Sequence, residues 1–335
     1  MFTKTAQYIA RSPLKNIIYP VADTILNSFG QVKAKRYNIN RTILVVCPGR
    51  SGSTWLAETI AALHGYIILW EPLHLENNPE SKANGFGWQN YFYTGGSYKK
   101  QKEYLEKVYT GQKLSTRTLT SLEFQPSELI NFRGYVVKHV NANMILPYIM
   151  EWFPIRAVLM IRHPCAVVAS QLKHGSWTDI NKENITIPDG LFTDYPHIES
   201  VFEKLTSLEE LLAFEWAIQT YIPLSHPTPH PWYLTTYERL VVGGKEEAKR
   251  IFEFINEPMP KSIERDLKSP SATTQKESHV QQGKNRLTGW TKQLDSNQVE
   301  DVLRTTHDVG VHCYNEDLIP DESQLPLADG QPTLF

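Results

Sequence analysis

One short segment of the chain combines glycine, hydroxyl and cationic residues in an order suited to binding an anion. The apolar run 43–46 predicts a buried strand, and residues 47–55 (CPGRSGSTW) follow it before a helical pattern begins. A loop of this kind directs consecutive backbone N–H groups, and the positive end of the helix dipole, at one point. Arg50 adds a positive charge, and Trp55 offers an aromatic face to a base. The segment therefore predicts a nucleotide phosphate site.

This loop lacks the residues that a metal-dependent ATP or GTP site needs. Such a loop ends in Gly-Lys-Ser/Thr, which brings a lysine to the β- and γ-phosphates and a hydroxyl to Mg²⁺. Here two residues separate Gly49 from Gly52, and Ser53 occupies the position of the lysine. The spacing disfavours a metal-dependent triphosphate site, and we predict no metal ligand.

A second junction between a strand and a helix carries another cation. The apolar run 157–161 predicts a buried strand, and Arg162 follows it directly. Pro164 suits the first turn of a helix, so Ser170 is expected about two turns along that helix. Ligands of open α/β sheets bind at the carboxyl ends of the strands. An arginine there, with a hydroxyl eight residues later, is the pattern that a second phosphate site requires.

At these residues the chain resembles the sulfotransferases that use 3′-phosphoadenosine 5′-phosphosulfate (PAPS). Residues 48–55 are similar to their 5′-phosphosulfate loop, and Arg162 with Ser170 matches their 3′-phosphate motif in type and spacing. Residues 237–240 (YERL) follow a predicted strand where the family usually has Tyr-Glu-Asp-Leu. Residues 283–290 (GKNRLTGW) resemble the late basic loop that closes over the cofactor. All of these motifs occur in family order.

The resemblance implies PAPS as co-substrate, 3′-phosphoadenosine 5′-phosphate (PAP) as product, and no metal. It implies that Arg50 and the loop amides bind the leaving 5′-phosphate, and that Trp55 and Tyr237 surround the adenine. It further implies that Lys284 or Arg286 contacts the 3′-phosphate. The cofactor-binding residues implied in this way are Arg50, Ser51, Gly52, Ser53, Thr54, Trp55, Arg162, Ser170, Tyr237, Lys284 and Arg286.

Sulfuryl transfer to a hydroxyl also needs a general base, and Glu71 is the first candidate. Glu71 follows the apolar run 66–70 and is expected at the same sheet edge as the anion loop. Pro72 disfavours a helical conformation at Glu71, which predicts an extended one. The Glu-Pro pair resembles the acidic segment of carbohydrate-type sulfotransferases. The alternative interpretation is a strand-end carboxylate in a salt bridge.

Lys138, His139 and His74 are the other candidates for the catalytic machinery. Lys138 and His139 resemble the Lys-Thr-His segment of cytosolic small-molecule sulfotransferases, although here the histidine follows the lysine directly. Neighbours in a strand point to opposite faces, so both are not expected to face the site. We predict Lys138 as a site cation beside Arg50, and keep His139 and His74 as alternative bases.

Alternating strands and helices predict an α/β fold, a three-layer sandwich with a mostly parallel central sheet, of the P-loop NTPase-like sulfotransferase type. Strands are predicted at 42–47, 66–70, 135–138, 157–161 and 232–236. Helices are predicted at 17–29, 143–152, 164–173, 198–221, 245–256 and 295–307. The predicted organisation is a helical segment 1–38, one domain 39–315 with insertions near 76–130 and 175–197, and a tail 316–335. The aromatic-rich insertions are interpreted either as acceptor walls or as packing on the sheet.

The composition of the chain favours a globular enzyme over a nucleic-acid-binding, disulfide-rich or membrane-spanning protein. The chain has 335 residues, 41% of them hydrophobic, which is enough for one large core. A net charge of −2 gives no general attraction to nucleic acid. Three scattered cysteines predict a reducing compartment, and neither a membrane span nor a secretory signal is recognised. We therefore expect a soluble, cytoplasmic, bacterial enzyme, with a peripheral membrane contact through residues 1–38 left open.

The predicted function is transfer of the sulfuryl group from PAPS to an acceptor hydroxyl by in-line displacement, with release of PAP. The acceptor is predicted to be a carbohydrate or a small natural product. One alternative is a metal-dependent nucleotide kinase. Another is a nucleotide-binding protein without transfer activity that serves as an interaction module. The identity of the acceptor, O- or N-sulfation, and the oligomeric state stay open.

Overall fold

The structure is a computed structural model that describes residues 15–119, 131–274 and 285–327. Its centre is a parallel sheet of five strands in the order β2-β3-β1-β4-β5. The strands are β1 Ile43–Val46, β2 Tyr66–Trp70, β3 Gly134–His139, β4 Arg156–Ile161 and β5 Tyr233–Thr236. All five predicted strands are present, and the predicted α/β fold with a parallel sheet is confirmed.

The pairing register brings the carboxyl ends of neighbouring strands to one edge. Val46 lies beside His139 of β3 and Leu159 of β4, and Trp70 of β2 lies beside Lys138. The loops that leave β1, β2, β3 and β4 therefore begin close together. This edge is the place where the predicted motifs can meet.

Helices connect the strands and cover the sheet. They are α1 Lys15–Ala34, α2 Ser53–Ala61, α3 Pro79–Ala83, α4 Lys99–Tyr109, α5 Thr116–Leu119, α6 Leu146–Trp152, α7 Pro164–His174, α8 Leu191–Asp194, α9 Pro196–Phe202, α10 Leu208–Leu224, α11 Tyr237–Phe254, α12 Ile263–Lys268 and α13 Ser296–Val309. Short 3₁₀ helices occur at Ile39–Arg41, Trp290–Lys292 and Glu322–Gln324. None of these helices has the length and apolarity needed to cross a bilayer.

Two hydrophobic cores lie on opposite faces of the sheet. Leu44 and Val46 of β1 belong to one core, whereas Ile43 and Val45 belong to the other. Every residue of β1 is consequently buried, which explains the unbroken apolar run in the sequence. The two cores make the fold a three-layer sandwich, as predicted.

The prediction of one helix over 198–221 was wrong. The structure has two helices there, α9 and α10, because Ser207 begins the second one with a capping box. The Ser207 hydroxyl accepts from the backbone N–H of Glu210 at 3.2 Å, and the Glu210 carboxylate accepts from the Ser207 N–H at 2.9 Å. This pairing satisfies the first N–H groups of α10 and stops the preceding helix from continuing.

The helix predicted over 245–256 begins earlier, at Tyr237, and contains a break. Gly244 has a φ of 47°, which is outside the helical region. α11 therefore consists of two helical parts, and the first of them starts at the end of β5 with the Tyr-Glu-Arg-Leu motif.

Segment 76–113 contributes both to the core and to the surface. Phe86, Phe92 and Tyr104 are buried in the first core, whereas Trp88 is 44% exposed. Phe86, Phe92 and Tyr104 therefore pack on the sheet, whereas Trp88 lies partly at the surface.

Candidate active site

A cavity of about 810 Å³ opens at the carboxyl edge of the sheet. It is bounded by residues that follow β1, β2, β3 and β4 and by the starts of α2 and α11. Predicted site residues that line it are Arg50, Gly52, Ser53, Thr54, Trp55, Glu71, His74, Lys138, Arg162, Ser170, Tyr237 and Arg286. Ser51 is buried and His139 lies away from the cavity. Lys284 lies outside the described residues.

The anion loop turns sharply between β1 and α2. Gly52 is the N-cap of α2 with a φ of 95°, and Arg50 has a φ of 69°. Gly52 is also required by space, since a Cβ there would lie 2.9 Å from Cδ2 of Tyr237. The Ser51 hydroxyl is buried and has no hydrogen-bond partner among the described residues. The loop thus presents the N-terminus of α2 and the side chain of Arg50 to the cavity.

The two predicted phosphate motifs contact each other directly. Arg50 Nε donates to Ser170 Oγ at 3.1 Å, and Arg162 Nη1 donates to the backbone oxygen of Arg50 at 3.2 Å. Burial, reinforced by the charge of Arg162, lowers the pKa of Arg50. Arg162 Nε is buried and unpartnered within the described ranges. Two close guanidinium groups with unused donors fit a site for a phosphate-bearing ligand.

Aromatic rings and guanidinium groups alternate beside this pair. The rings of Trp55 and Tyr237 are 5.2 Å apart. Arg162 Cζ lies 4.4 Å from the centroid of the Tyr237 ring, and Arg286 Cζ lies 5.1 Å from that of Trp55. Arg286 is held in place because its Nη1 and Nη2 donate to the carbonyl groups of Leu267 and Lys268. These flat surfaces suit an adenine ring.

Glu71 and Lys138 form an ion pair at the carboxyl ends of β2 and β3. The Lys138 side chain is 2% exposed, and that of Glu71 is 14% exposed. Lys138 Nζ also lies 3.9 Å from the centroid of the Trp70 ring. Burial lowers the pKa of Lys138, and the neighbouring Glu71 carboxylate opposes that shift. Glu71 and Lys138 therefore line the cavity in contact with each other.

The prediction of an extended conformation at Glu71 was wrong. Its φ is 41°, in the left-handed region. The Glu71 N–H donates to the Lys138 carbonyl at 2.9 Å, which continues the pairing of β2 with β3. Its own carbonyl then accepts from the His74 N–H at 2.9 Å, which closes a turn. These two bonds fix the backbone more strongly than the preference imposed by Pro72.

The two candidate histidines have different surroundings. His139 is fully buried on the face opposite to Lys138, with Nε2 3.4 Å from the Tyr109 hydroxyl. Burial lowers its pKa to about 3. His74 lines the cavity, its ring lies edge-on to Trp88 at 4.9 Å, and its Nδ1 accepts from the Asn77 N–H at 3.3 Å. His74 is thus the histidine with access to a ligand.

Glu238 of the Tyr-Glu-Arg-Leu motif is hydrogen-bonded to the residue that follows Arg162 of the second phosphate motif. Its carboxylate accepts from the His163 N–H and from the Tyr314 hydroxyl, both at 3.0 Å. Burial raises the pKa of Glu238. The His163 ring stacks on Trp290 at 4.6 Å. These contacts fix the residue that follows Arg162.

Sequence reasoning missed a polar group on the opposite side of the cavity. Glu215 and Gln219 of α10 and Gln89 from segment 76–113 line it, together with Trp88 and Trp177. Gln89 Nε2 donates to Glu215 at 3.1 Å, and Gln219 Nε2 donates to Gln89 Oε1 at 3.0 Å. The available signal was an acidic residue inside an apolar stretch of the sequence, residues 211–218 (LLAFEWAI).

Residues 40–304 match the family model described as a sulfotransferase domain. No curated protein gives a significant sequence match. The sulfotransferase domain of a Synechococcus olefin synthase is 14% identical, covers 82% of this chain and 95% of its own, and has a TM-score of 0.44. A mouse sulfotransferase complexed with PAP is 13% identical, with coverages of 87% and 90% and a TM-score of 0.43. The domain from the curacin biosynthetic pathway is 18% identical, with coverages of 74% and 79% and a TM-score of 0.36.

Proposed function

The chain belongs to the sulfotransferase family and is an enzyme of sulfuryl transfer, and we propose that it takes the sulfuryl group from PAPS. The proposed acceptor is a hydroxyl of a carbohydrate or a small natural product. The observation that supports PAPS is the direct contact between Arg50, Ser170 and Arg162. This contact joins a site for the 5′-phosphosulfate to a site for the 3′-phosphate. AMP and ATP carry no 3′-phosphate.

When bound, PAPS supplies the sulfuryl group: the acceptor oxygen bonds to sulfur while the sulfur–oxygen bond to the 5′-phosphate breaks, and its electron pair leaves with PAP. Arg50 and the amides at the start of α2 then hold the negative charge that grows on the 5′-phosphate. Arg162 and Ser170 hold the 3′-phosphate, and Tyr237 and Trp55 hold the adenine.

Glu71 is proposed to take the proton of the acceptor hydroxyl. Its carboxylate lines the cavity and pairs with Lys138, which fixes its position. Lys138 in turn places a positive charge beside the transferred group. His74, which lines the same part of the cavity, is the alternative base.

Binding of PAP compared with AMP tests the cofactor assignment. We expect PAP to bind at least about tenfold more tightly, since one phosphate on a guanidinium contributes a charge-assisted hydrogen bond. Arg162→Ala is expected to remove this difference, because it weakens PAP binding more than AMP binding. The measurement is isothermal titration calorimetry. Arg265→Ala is the matched control, because Arg265 is 79% exposed and pairs only with Asp266 in the described part of the chain. Equal affinities for PAP and AMP in the wild type would contradict the proposal.

Glu71→Gln tests the base assignment. We expect kcat to fall by a factor of about 10²–10⁴, the usual contribution of a general base. PAP affinity should stay within about twofold of the wild type, a change in binding free energy of under about 1 kcal/mol. Transfer of ³⁵S-sulfate from PAPS to an accepted hydroxyl gives the rate. Glu264→Gln is the control, since Glu264 is also ion-paired but 59% exposed. An unchanged kcat in Glu71→Gln would reassign the role to His74.

A further inference from the structure

Glu215 is a carboxylate that lines the wall of the cavity. It lies on α10 and accepts a hydrogen bond from Gln89 Nε2 at 3.1 Å. Among the residues the structure describes, no lysine, arginine or histidine forms an ion pair with it. Burial raises its pKa to about 7, and the hydrogen bond from Gln89 opposes that shift. A carboxylate in this position lacks the counter-charge that burial normally demands.

A chain of amides sets the direction of the hydrogen bond that reaches Glu215. Asn143 Nδ2 donates to Gln219 Oε1 at 3.1 Å, and Gln219 Nε2 donates to Gln89 Oε1 at 3.0 Å. The remaining group of Gln89 is its NH₂, which points at Glu215. Because both glutamines use their oxygen as acceptor and their nitrogen as donor, Gln89 presents an N–H to Glu215. This hydrogen bond opposes the effect of burial on the pKa of Glu215.

None of the other described charges that line the cavity forms an ion pair with Glu215. Arg50, Arg162 and Arg286 contact the motifs at the cofactor end, and Lys138 pairs with Glu71. Lys173 and His174 line the cavity near the end of α7, and Glu76 lines it after His74. Trp88, the neighbour of Gln89 in the chain, and Trp177 add aromatic faces. Glu215 and the tryptophans thus add a carboxylate and aromatic faces to the cavity, whereas the arginines contact the cofactor motifs.

We propose that Glu215 binds a protonated amine of the acceptor. The acceptor class is then a hydroxy compound that also carries an ammonium group, such as an amino sugar or an amine-bearing alkaloid. An ammonium supplies the counter-charge that Glu215 lacks, and the tryptophan rings favour a cation. The inference rests on the proposed function, since it concerns the acceptor of the same transfer. Glu215 recognises the acceptor in this scheme, whereas Glu71 takes its proton.

Matched acceptors test the inference, each offered as a free amine and as its N-acetyl derivative. The pairs are tyramine with N-acetyltyramine and glucosamine with N-acetylglucosamine, assayed with ³⁵S-labelled PAPS. In the wild type we expect kcat/KM to be at least about tenfold higher for the amine of an accepted pair, as for other charge-assisted bonds. Glu215→Gln should abolish that preference and leave PAP affinity unchanged. Glu209→Gln, on the same helix and hydrogen-bonded to Gln298, should keep it.

Two outcomes overturn the inference. One is equal or better use of the N-acetyl compounds by the wild type, a measurement that does not depend on any variant folding. The other is an amine preference that survives in Glu215→Gln. If no pair is turned over, calorimetry of the same four compounds with PAP-loaded protein decides, and absence of amine binding refutes the inference. Failure of PAP itself to bind would instead contradict the proposed function.

Discussion

Arg50 and Glu71, the two residues assigned to the leaving group and to the base, both have left-handed backbones. Their φ angles are 69° and 41°. This conformation costs a residue with a Cβ about 1–2 kcal/mol. Glu71 follows β2 directly, and Arg50 lies in the loop that joins β1 to α2, so both stand where the chain turns at the sheet edge. The strain is thus located where the proposed chemistry takes place.

Replacing Arg50 tests how much of this strain is local. Arg50→Ala and Arg50→Gly both remove the guanidinium, but only glycine accepts a φ of 69° without strain. We expect the glycine variant to be more stable than the alanine variant by about 1 kcal/mol, measured by urea unfolding. Asn256, with a φ of 54°, is the control position outside the cavity, where the Gly and Ala variants should differ in the same direction. Equal stabilities at Arg50 would show that the loop relaxes.

At the residue scale, the alternation of side chains along a strand predicted orientation, but the sequence did not predict backbone conformation at Glu71. The alternation of a strand indicated that Lys138 and His139 face opposite sides, and the structure places them so. The conformation of Glu71 was not predictable from Pro72, because backbone bonds to residues distant in sequence determine it. Glu215 was missed for a similar reason, since its partner Gln89 comes from a segment without regular periodicity.

Among the helices, α11 is joined to the C-terminal segment by a buried ion network. Arg239 is fully buried and contacts the carboxylates of Glu247 and Glu322. Glu247 lies in the second part of α11, after the break at Gly244, and Glu322 begins the last 3₁₀ helix. The resembled family usually has an aspartate at the position of Arg239. A buried arginine in its place needs carboxylates, and the segment predicted as a tail provides one of them.

Arg239→Ala is expected to lower the free energy of unfolding by about 3–5 kcal/mol, because it leaves buried carboxylates without their counter-charge. The measurement is equilibrium denaturation followed by far-UV circular dichroism. Lys245→Ala is the control on the same helix, since its pair with Glu264 is exposed and should contribute under about 1 kcal/mol. A similar small effect for both variants would show that Arg250, which also contacts Glu247, compensates.

At the element scale, the sequence predicted strands better than helices. β1 and most of β4 are buried on both faces and form continuous apolar runs, so their positions were evident. The division between α9 and α10 was missed, although Ser207 with Glu210 is a capping-box pattern visible in the sequence.

Across the whole molecule, two buried histidines make stability depend on acid. Burial lowers the pKa of His139 to about 3 and that of His163 to about 4, below the ordinary value near 6.5. Between these values the unfolded chain binds more protons, so the free energy of unfolding falls as the pH falls below about 6.5. Glu215 acts in the opposite sense, since its pKa of about 7 favours the protonated folded state between pH 4.5 and 7. Glu238, whose pKa burial also raises, acts in the same sense as Glu215.

His139→Gln is expected to weaken the acid dependence. From pH 7.5 to 5.0, the loss of unfolding free energy should be about 2 kcal/mol smaller than in the wild type. Urea unfolding at the two pH values gives the difference, independently of any loss of stability common to both. The exposed His64 offers the control substitution, His64→Gln, which should leave the difference unchanged. An unaltered difference in His139→Gln would place the acid sensitivity elsewhere.

The overall architecture was predictable because it depends on alternating apolar runs, whereas the acceptor half of the cavity was not. The aromatics of segment 76–113 have no constant spacing, and nothing in their types separates the buried Phe86 and Phe92 from the cavity-lining Trp88. Their roles depend on which of them the sheet and α10 cover. That information is tertiary and is absent from local patterns.

The ring of Tyr237 contacts two of the other three motifs at once. It lies against the position where Gly52 lacks a Cβ, beside Trp55, and under the guanidinium of Arg162. A larger residue at Gly52 displaces the ring, and a smaller one at Tyr237 removes the support of Arg162. Directed evolution of nucleotide preference in this enzyme will therefore require paired substitutions, because single-site libraries at either position lose several contacts together.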